Sequence, residues 1–383
     1  MKKKNLSILI APNAFKHSLA AGEVAQAIGA GLKAGDKEMV LTYFPIGDGG
    51  DGTIDLIIEH LGCERKSRIV TGPLGKPVEA SYGLLRDQKT AFIEMADATG
   101  IKLLKPHELN PLKATSFGTG ELLIDALDEG VEQIIIGMGG SATVDGGCGI
   151  LAALGARFYD EKGNLLKANP EHLRHTTTVN LEQLDKRLEK VAIVVLCDVD
   201  NKLLGIDGAA AVFGPQKGAN TADIQQLEGF LSTLSKQLQQ LTGRDMAAVV
   251  SGGVAGGAAG GLYAALNAVL KSGIDHFMEL TGFEQALAAS DLLITGEGSL
   301  DSQTLGGKGP YGVAIKAKEK GIPVIAVAGK VPLCIDKAMY KAFDVLLPIG
   351  NEPIPLEEAF KVTRKNLVRT GTLIANFLGI PSR

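Results

Sequence analysis

Short apolar runs alternate with segments of helical period along most of this chain. Residues 6–11, Leu-Ser-Ile-Leu-Ile-Ala, read as a strand that stops at Pro12-Asn13. Residues 20–32 place apolar side chains at three- and four-residue spacing and read as a helix. A second strand follows at 40–45, and after Asp51 a second helix ends near Gly62. This β-α-β-α opening is the mark of a parallel sheet covered by helices.

The pattern changes near residue 70. Residues 78–85 and 90–95 are strand-like runs on either side of the polar Arg86-Asp87-Gln88-Lys89, which predicts an antiparallel hairpin. Strands are expected at 133–136 and 191–196, and helices near 121–127, 224–241 and 261–270. From Asp291 the simple alternation returns: strand 291–295, helix 311–320, strands 323–328 and 344–348, and a closing helix over 356–377. The expected fold class is α/β. A doubly wound, flavodoxin- or Rossmann-like parallel-sheet domain comprises 1–70 and 285–383. A second α/β domain with antiparallel strands is inserted as 71–284. The active site is expected in the cleft between the two domains.

Charge narrows the classes. The formal net charge is -4 over 383 residues, which gives no general pull toward nucleic acid or an anionic membrane. No apolar segment is long enough to span a bilayer. Met1-Lys2-Lys3-Lys4 before the first apolar run superficially resembles a signal peptide. The run is shorter than a usual signal core of roughly 7–15 residues, so a strand is the better reading. Cys63, Cys148, Cys197 and Cys334 are far apart with no CxxC pair, which argues against disulfides and zinc and for a reducing, cytoplasmic setting. The 49 glycines are clustered without a collagen-like period, which suggests loops shaped around ligands.

Five such loops carry candidate chemistry, four of them just after a predicted strand, where open α/β sheets hold their ligands. In the first, Lys16 suits a phosphate or substrate carboxylate, against the plainer reading of a surface lysine beside a Ser18 helix cap. In the second, Asp48 and Asp51 lie on a glycine-rich turn and could meet Mg²⁺, or merely cap the next helix. The third, 137–147, includes Gly139, Gly140, Ser141 and Thr143. Its small residues let backbone N–H groups converge on an anion. The fourth sets Asp198, Asp200 and Asn201 at the end of an apolar strand. The fifth offers Gly296, Glu297, Gly298, Asp301 and, further on, Lys308: carboxylates for metal or proton transfer, lysine and amides for phosphate.

Two motif matches are weak. Residues 137–142 fit G-x-G-x-x-A with Asp160 at the ribose-acid spacing, but the helix that follows is short. Residues 307–312 fit G-x-G-x-x-G but lie well past their strand. No G-x-x-x-x-G-K-[ST] occurs, which excludes a P-loop NTPase.

Taken together, the loops resemble the bacterial glycerate kinase family, which makes phosphoglycerate from glycerate and ATP. The resemblance rests on Ala11-Pro12-Asn13-Ala14-Phe15-Lys16, Pro45-Ile46-Gly47-Asp48-Gly49-Gly50-Asp51-Gly52-Thr53 and Gly139-Gly140-Ser141-Ala142-Thr143-Val144-Asp145-Gly146-Gly147. It continues through Cys197-Asp198-Val199-Asp200-Asn201, Val212-Phe213-Gly214-Pro215-Gln216-Lys217-Gly218-Ala219 and Thr295-Gly296-Glu297-Gly298-Ser299-Leu300-Asp301-Ser302-Gln303-Thr304. Six segments in order make it specific. Asn13 stands where the family usually has Asp, Asp51 where it has Glu, Val144 where it has Asn, and Lys202 where it has Pro.

The resemblance implies glycerate and ATP as substrates and Mg²⁺ as cofactor, with neither nucleic acid nor membrane as partner. The oligomeric state stays open, a homodimer included. On this resemblance Asp198 acts as base, with Asp301, Lys308 and Lys16 also catalytic. Asp200, Glu297 or Asp301 stands near Mg²⁺. Lys16, Asp48, Asp51, Ser141 and Thr143 meet the substrate. Gly139, Gly140, Ser141, Gly296, Gly298 and Lys308 face phosphate. The rival expectations are a nicotinamide-dependent oxidoreductase of small hydroxy acids, on the 137–142 match, and a non-catalytic metabolite sensor.

Overall fold

The computed structural model describes residues 5–301, 304, 309–333 and 337–380. The chain opens with β1 (Ser7–Ile10), α1 (Ala21–Gly35) and β2 (Val40–Tyr43). It continues through α2 (Thr53–Leu61), β3 (Glu64–Thr71), β4 (Pro77–Leu85), β5 (Thr90–Glu94), α3 (Met95–Thr99), α4 (Phe117–Asp128) and β6 (Gln133–Gly137). Next come α5 (Cys148–Ala153), β7 (Arg157–Tyr159), α6 (Pro170–Leu173), β8 (Thr178–Asn180), β9 (Ala192–Cys197), α7 (Ala209–Phe213) and α8 (Thr221–Thr242). Then follow α9 (Ala258–Leu266), β10 (Val269–Ser272), α10 (Gly273–Thr281), α11 (Phe283–Ala288), β11 (Leu292–Ser299) and α12 (Gly309–Glu319). The last elements are β12 (Val324–Lys330), α13 (Lys337–Ala342), β13 (Val345–Pro348) and α14 (Leu356–Leu378). Two compact units result: Met1–Asp48 with Ile274–Arg383, and Gly49–Gly273.

The first unit holds a five-stranded sheet in the order β13-β12-β11-β1-β2, parallel throughout. Its strands show no polar alternation because helices cover both faces. Ile8, Ile10, Ile294 and Val327 join Val24, Ile28 and Leu32 of α1 and Leu367 and Ile374 of α14 in one core. Leu9, Leu293 and Ala326 point to the other face and are fully buried. There α12 packs on β11 and β12, with Val313, Ala314 and Ala317 buried. The sheet is thus doubly wound, and its strand order reverses between β1 and β11, the usual place for a ligand crevice. The expected Ser18 cap is not formed. Ala20 is the N-cap residue of α1 and its N–H bonds Glu23 Oε2 at 3.1 Å, while Ser18 Oγ donates to the Phe360 carbonyl at 2.8 Å.

The second unit holds a six-stranded mixed sheet in the order β10-β9-β6-β5-β4-β3. β3, β4 and β5 pair antiparallel, and β5, β6, β9 and β10 run parallel. The expected hairpin is β4–β5, closing at Leu85 opposite Thr90. Two strands of this sheet escaped the sequence reading, both of them edges, as did the separate antiparallel pair β7–β8. β3 carries Glu64, Arg65, Lys66 and Arg68, and charge on an edge strand blocks pairing with other chains while hiding the strand signal. β10 was absorbed into a helix expected over 261–270. Asn267, in the left-handed region at φ 58°, ends α9 and turns the chain into β10.

The division falls at 48/49 and 273/274, not at 70/71 and 284/285. β3 pairs with β4 from Glu64 opposite Leu84 to Thr71 opposite Pro77, and α2 packs on β5, so 49–70 go with the second sheet. On the return, Phe283 packs edge-on against Phe44 at 5.4 Å, and a side chain at Gly312 would meet Ile274, so 274–284 belong to the first unit.

Candidate active site

In the first unit the polar groups gather at the carboxyl ends of β1 and β11. Asn13 N–H donates to the Gly296 carbonyl at 2.8 Å, and Thr295 Oγ1 donates to the Ala11 carbonyl at 2.7 Å, which locks the two strand ends together. The Asn13 amide is oriented by Ala14 N–H, which donates to its Oδ1 at 2.7 Å. Its Nδ2 then donates to Asp48 Oδ2 at 2.8 Å. Gly309 N–H, at the start of α12, lies 3.5 Å from the same oxygen. Glu297 is nearly buried. Thr304 Oγ1 donates to its Oε1 at 2.7 Å and accepts from Asp301 N–H at 3.1 Å.

Two glycines of the fifth segment are placed by the fold. Residues 296–299 belong to β11 instead of a loop, and a side chain at Gly296 would lie 2.0 Å from the Val327 carbonyl oxygen of β12. Strand packing alone therefore requires that glycine. A Cβ at Gly298 would stand 3.6 Å from Lys16 N, an ordinary contact. Lys16 itself is exposed, with no partner for its ammonium among the described residues. Lys308, with Ser302, Gln303, Gly306, Gly307 and Cys334, lies outside the described residues.

In the second unit three of the expected loops meet. Gly139 N–H donates to the Gly49 carbonyl at 3.2 Å, and a Cβ at Gly139 would fall 2.1 Å from Asp51 N. Gly49, at φ 94°, lies against the Cys197–Asp198 peptide at the end of β9. Gly140 sits at φ 68°, and a Cβ there would press on Ala96 and Asp51, so a branched residue would strain the fold as well as the loop. Asp51 is exposed and shares Lys102, at 3.4 Å, with Asp97 at 3.0 Å. Asp198 is half-buried and Asp200 exposed, with Ser251 Oγ 3.5 Å from Asp200 Oδ1. Cys197 between strand and loop is inert: burial first, then the charges of Asp198 and Asp200, pushes its thiol up to about 12.

Behind the loop lie groups to which sequence reasoning gave no role. Asp145 is fully buried and accepts from Ser116 N–H at 2.8 Å, Ser116 Oγ at 2.7 Å, Gly147 N–H at 3.1 Å and Gly149 N–H at 3.2 Å. Burial raises its carboxyl above the ordinary range, against the lowering by those four bonds. Lys217 is also buried. Its Nζ donates to Ser141 Oγ at 2.9 Å and to the Thr143 carbonyl at 2.7 Å. Glu94, the last residue of β5, accepts from Ile54 N–H at 3.1 Å at the start of α2, while its other oxygen is buried without a partner among the described residues. Burial holds its carboxyl well above the ordinary carboxylate range. Asp145 and Lys217 could have been singled out from their motifs. Glu94 ends a strand-like run and carried no such signal.

The oxidoreductase fingerprint does not survive this geometry. A dinucleotide loop opens directly into its helix, whereas α5 starts only at Cys148 and has six residues. Carboxylates and glycine turns at the strand ends of a doubly wound sheet define an α/β enzyme that binds its ligand beyond those ends. Comparison makes this specific. The sequence matches the glycerate kinase family over residues 8–379. It is 42% identical to a glycerate kinase of Bacillus cereus over 370 residues, 97% of each chain. It is 41% identical to the glycerate 2-kinase of Escherichia coli over 382 residues, 99% of each. The fold superposes on the crystal structure of a candidate glycerate kinase 2 from Salmonella typhimurium with a TM-score of 0.82, at 42% identity over 98% of both chains. The chain belongs to the glycerate kinase family, a family of phosphotransferases.

Proposed function

We propose that this chain transfers the γ-phosphoryl group of ATP to a hydroxyl of D-glycerate, giving ADP and a phosphoglycerate, the 2- or the 3-ester. The observation that carries the reading is the family match from residue 8 to residue 379. The reaction needs an oriented hydroxyl, an acceptor for its proton and neutralised phosphates. Asp198, at the end of β9, takes the hydroxyl proton. Lys16 meets the substrate carboxylate, with Asp48 and Asp51 at the hydroxyls. Gly139, Gly140 and Ser141 face phosphate, with Gly298 and Lys308 in the same role. Gly296 serves chiefly to let β12 approach.

Mg²⁺ is the cofactor proposed. Among the described residues no group of three or more His, Cys, Asp or Glu could hold a metal by itself. A nucleotide-borne Mg²⁺ needs only one or two carboxylates besides phosphate oxygens and water. Glu297, Asp200 and Asp301 fit that demand as acids at strand ends and turns. The ion would neutralise charge on the transferred group.

Among the described residues no helix is long and apolar enough to cross a membrane. We place the protein in the cytoplasm, where ATP is supplied and the free thiols of Cys63, Cys148 and Cys197 persist.

A coupled ADP assay with phosphorus NMR of the product tests the reading. ADP release should require glycerate, vanish with a chelator and return with Mg²⁺. ADP release indifferent to glycerate would overturn it.

A further inference from the structure

Beneath the 139–147 loop lies a buried lysine that the proposed phosphoryl transfer does not use. Lys217 ends the short turn Pro215–Lys217 and is 3% exposed. An ammonium has three protons to donate. Among the described residues Lys217 Nζ has two acceptors, Ser141 Oγ and the Thr143 carbonyl, both neutral. The charge that acts on it is Asp145, whose oxygens already accept from Ser116, Gly147 and Gly149.

The residues that Lys217 holds carry unsatisfied donors. Thr143 is fully buried, yet its Oγ1 has no partner among the described residues. The N–H groups of Thr143 and Val144 have no acceptor there either. Buried donors are rarely left so, and three within two residues beside a lysine suit one oxyanion.

We propose that Lys217 is a positioning residue for an oxyanion, phosphate or carboxylate, bound by the Thr143 hydroxyl and the Thr143 and Val144 N–H groups. It fixes Ser141 and the Thr143 carbonyl, and its ammonium balances the incoming charge. The inference rests on the phosphoryl-transfer reading only in drawing that oxyanion from ATP or glycerate. Burial pushes the Lys217 amine down to about 7, Asp145 opposing. At pH 8 the unliganded amine is therefore mostly neutral, and an arriving anion draws a proton onto it.

The test is calorimetric. The parent and Lys217→Met are titrated at pH 8 with Mg·ATP and, separately, with D-glycerate, each in buffers of different ionisation heat. One ligand should bind the parent with uptake of most of a proton. Lys217→Met should lose that uptake and bind the same ligand on the order of 10- to 100-fold more weakly, leaving the other ligand unaffected. The nucleotide arm identifies a phosphate and the glycerate arm a carboxylate. A folded variant that binds both ligands with parental affinity and proton balance overturns the proposal. If circular dichroism shows Lys217→Met unfolded, Thr143→Val replaces it, and unchanged affinity for both ligands is then the overturning result. Glycerate-dependent ADP release is measured alongside. Its absence, with proton-linked binding intact, would fell the proposed substrate and leave Lys217 in place.

Discussion

The glycine-rich segments of the two units look alike as sequence but are built differently. In the second unit, residues 139–149 wrap around a buried carboxylate, with Asp145 accepting four hydrogen bonds and Lys217 tying down Ser141 and Thr143. In the first unit, residues 296–299 continue a strand, and the polar chain Glu297–Thr304–Asp301 hangs from its end. In the one, ionisable groups hold the loop in shape. In the other, a nearly buried carboxylate sits near the end of a rigid strand and is held by a hydroxyl. A carboxylate in a glycine-rich segment can therefore be held by backbone amides or by a hydroxyl, and substitution is what separates scaffold from chemistry.

The comparison is sharpest between Asp198 and Asp145, acids in the segments that follow the paired strands β9 and β6 of the second unit. Asp198→Asn should lower turnover by about 10²–10⁴-fold with little change in the thermal midpoint, as steady-state assays and melting curves would show. Near-parental turnover would end the assignment of Asp198 as base. Asp145→Ala should do the reverse. It leaves buried N–H groups of Ser116, Gly147 and Gly149 without an acceptor and should cost roughly 3–5 kcal/mol in denaturant unfolding. A loss under about 1 kcal/mol would mean the loop does not depend on that carboxylate.

Glu297→Gln breaks the contrast from the other side. The amide oxygen can still accept from Thr304, so stability should stay within about 1 kcal/mol. Mg·ATP should bind on the order of 10- to 100-fold more weakly, as read by titration at fixed free Mg²⁺. A folding defect with intact nucleotide affinity would make Glu297 scaffold too.

The last effect expected is a pH dependence. Lys217 holds its proton only to about pH 7 when folded, but to roughly 10.4 when unfolded. Between those values the unfolded chain binds more protons, so this group's contribution to stability rises with pH. Lys217→Met removes the dependence. The unfolding free energy of the parent relative to the variant should therefore climb from pH 7 toward pH 10. A flat difference would mean the amine stays charged despite its burial.

Much of the fold was legible because its signals are local. β1, β6, β9 and α14 announce themselves by apolar runs or helical period, and the hairpin of β4 and β5 by the polar turn between them. The candidate loops were legible for the same reason, as glycines beside acids at strand ends. The edges were not: β3 is charged because no strand lies beyond it, and β10 depends on the turn at Asn267. The unit boundary at Asp48 was hidden too, since β3 joins its sheet through partners up to twenty residues away.

By itself, then, the sequence determined the order and type of the main elements, the family, and the segments that carry candidate chemistry. Tertiary structure decided how the described groups in those segments are held. Gly296 reads as a phosphate glycine until β12 places the Val327 carbonyl beside it. Asp145 and Lys217 stand in their motifs without a role until the fold buries them and supplies their partners. The physical reason is that periodicity is a property of neighbours in the chain. Desolvation and hydrogen bonding, which set the charge and duty of a side chain, are properties of neighbours in space.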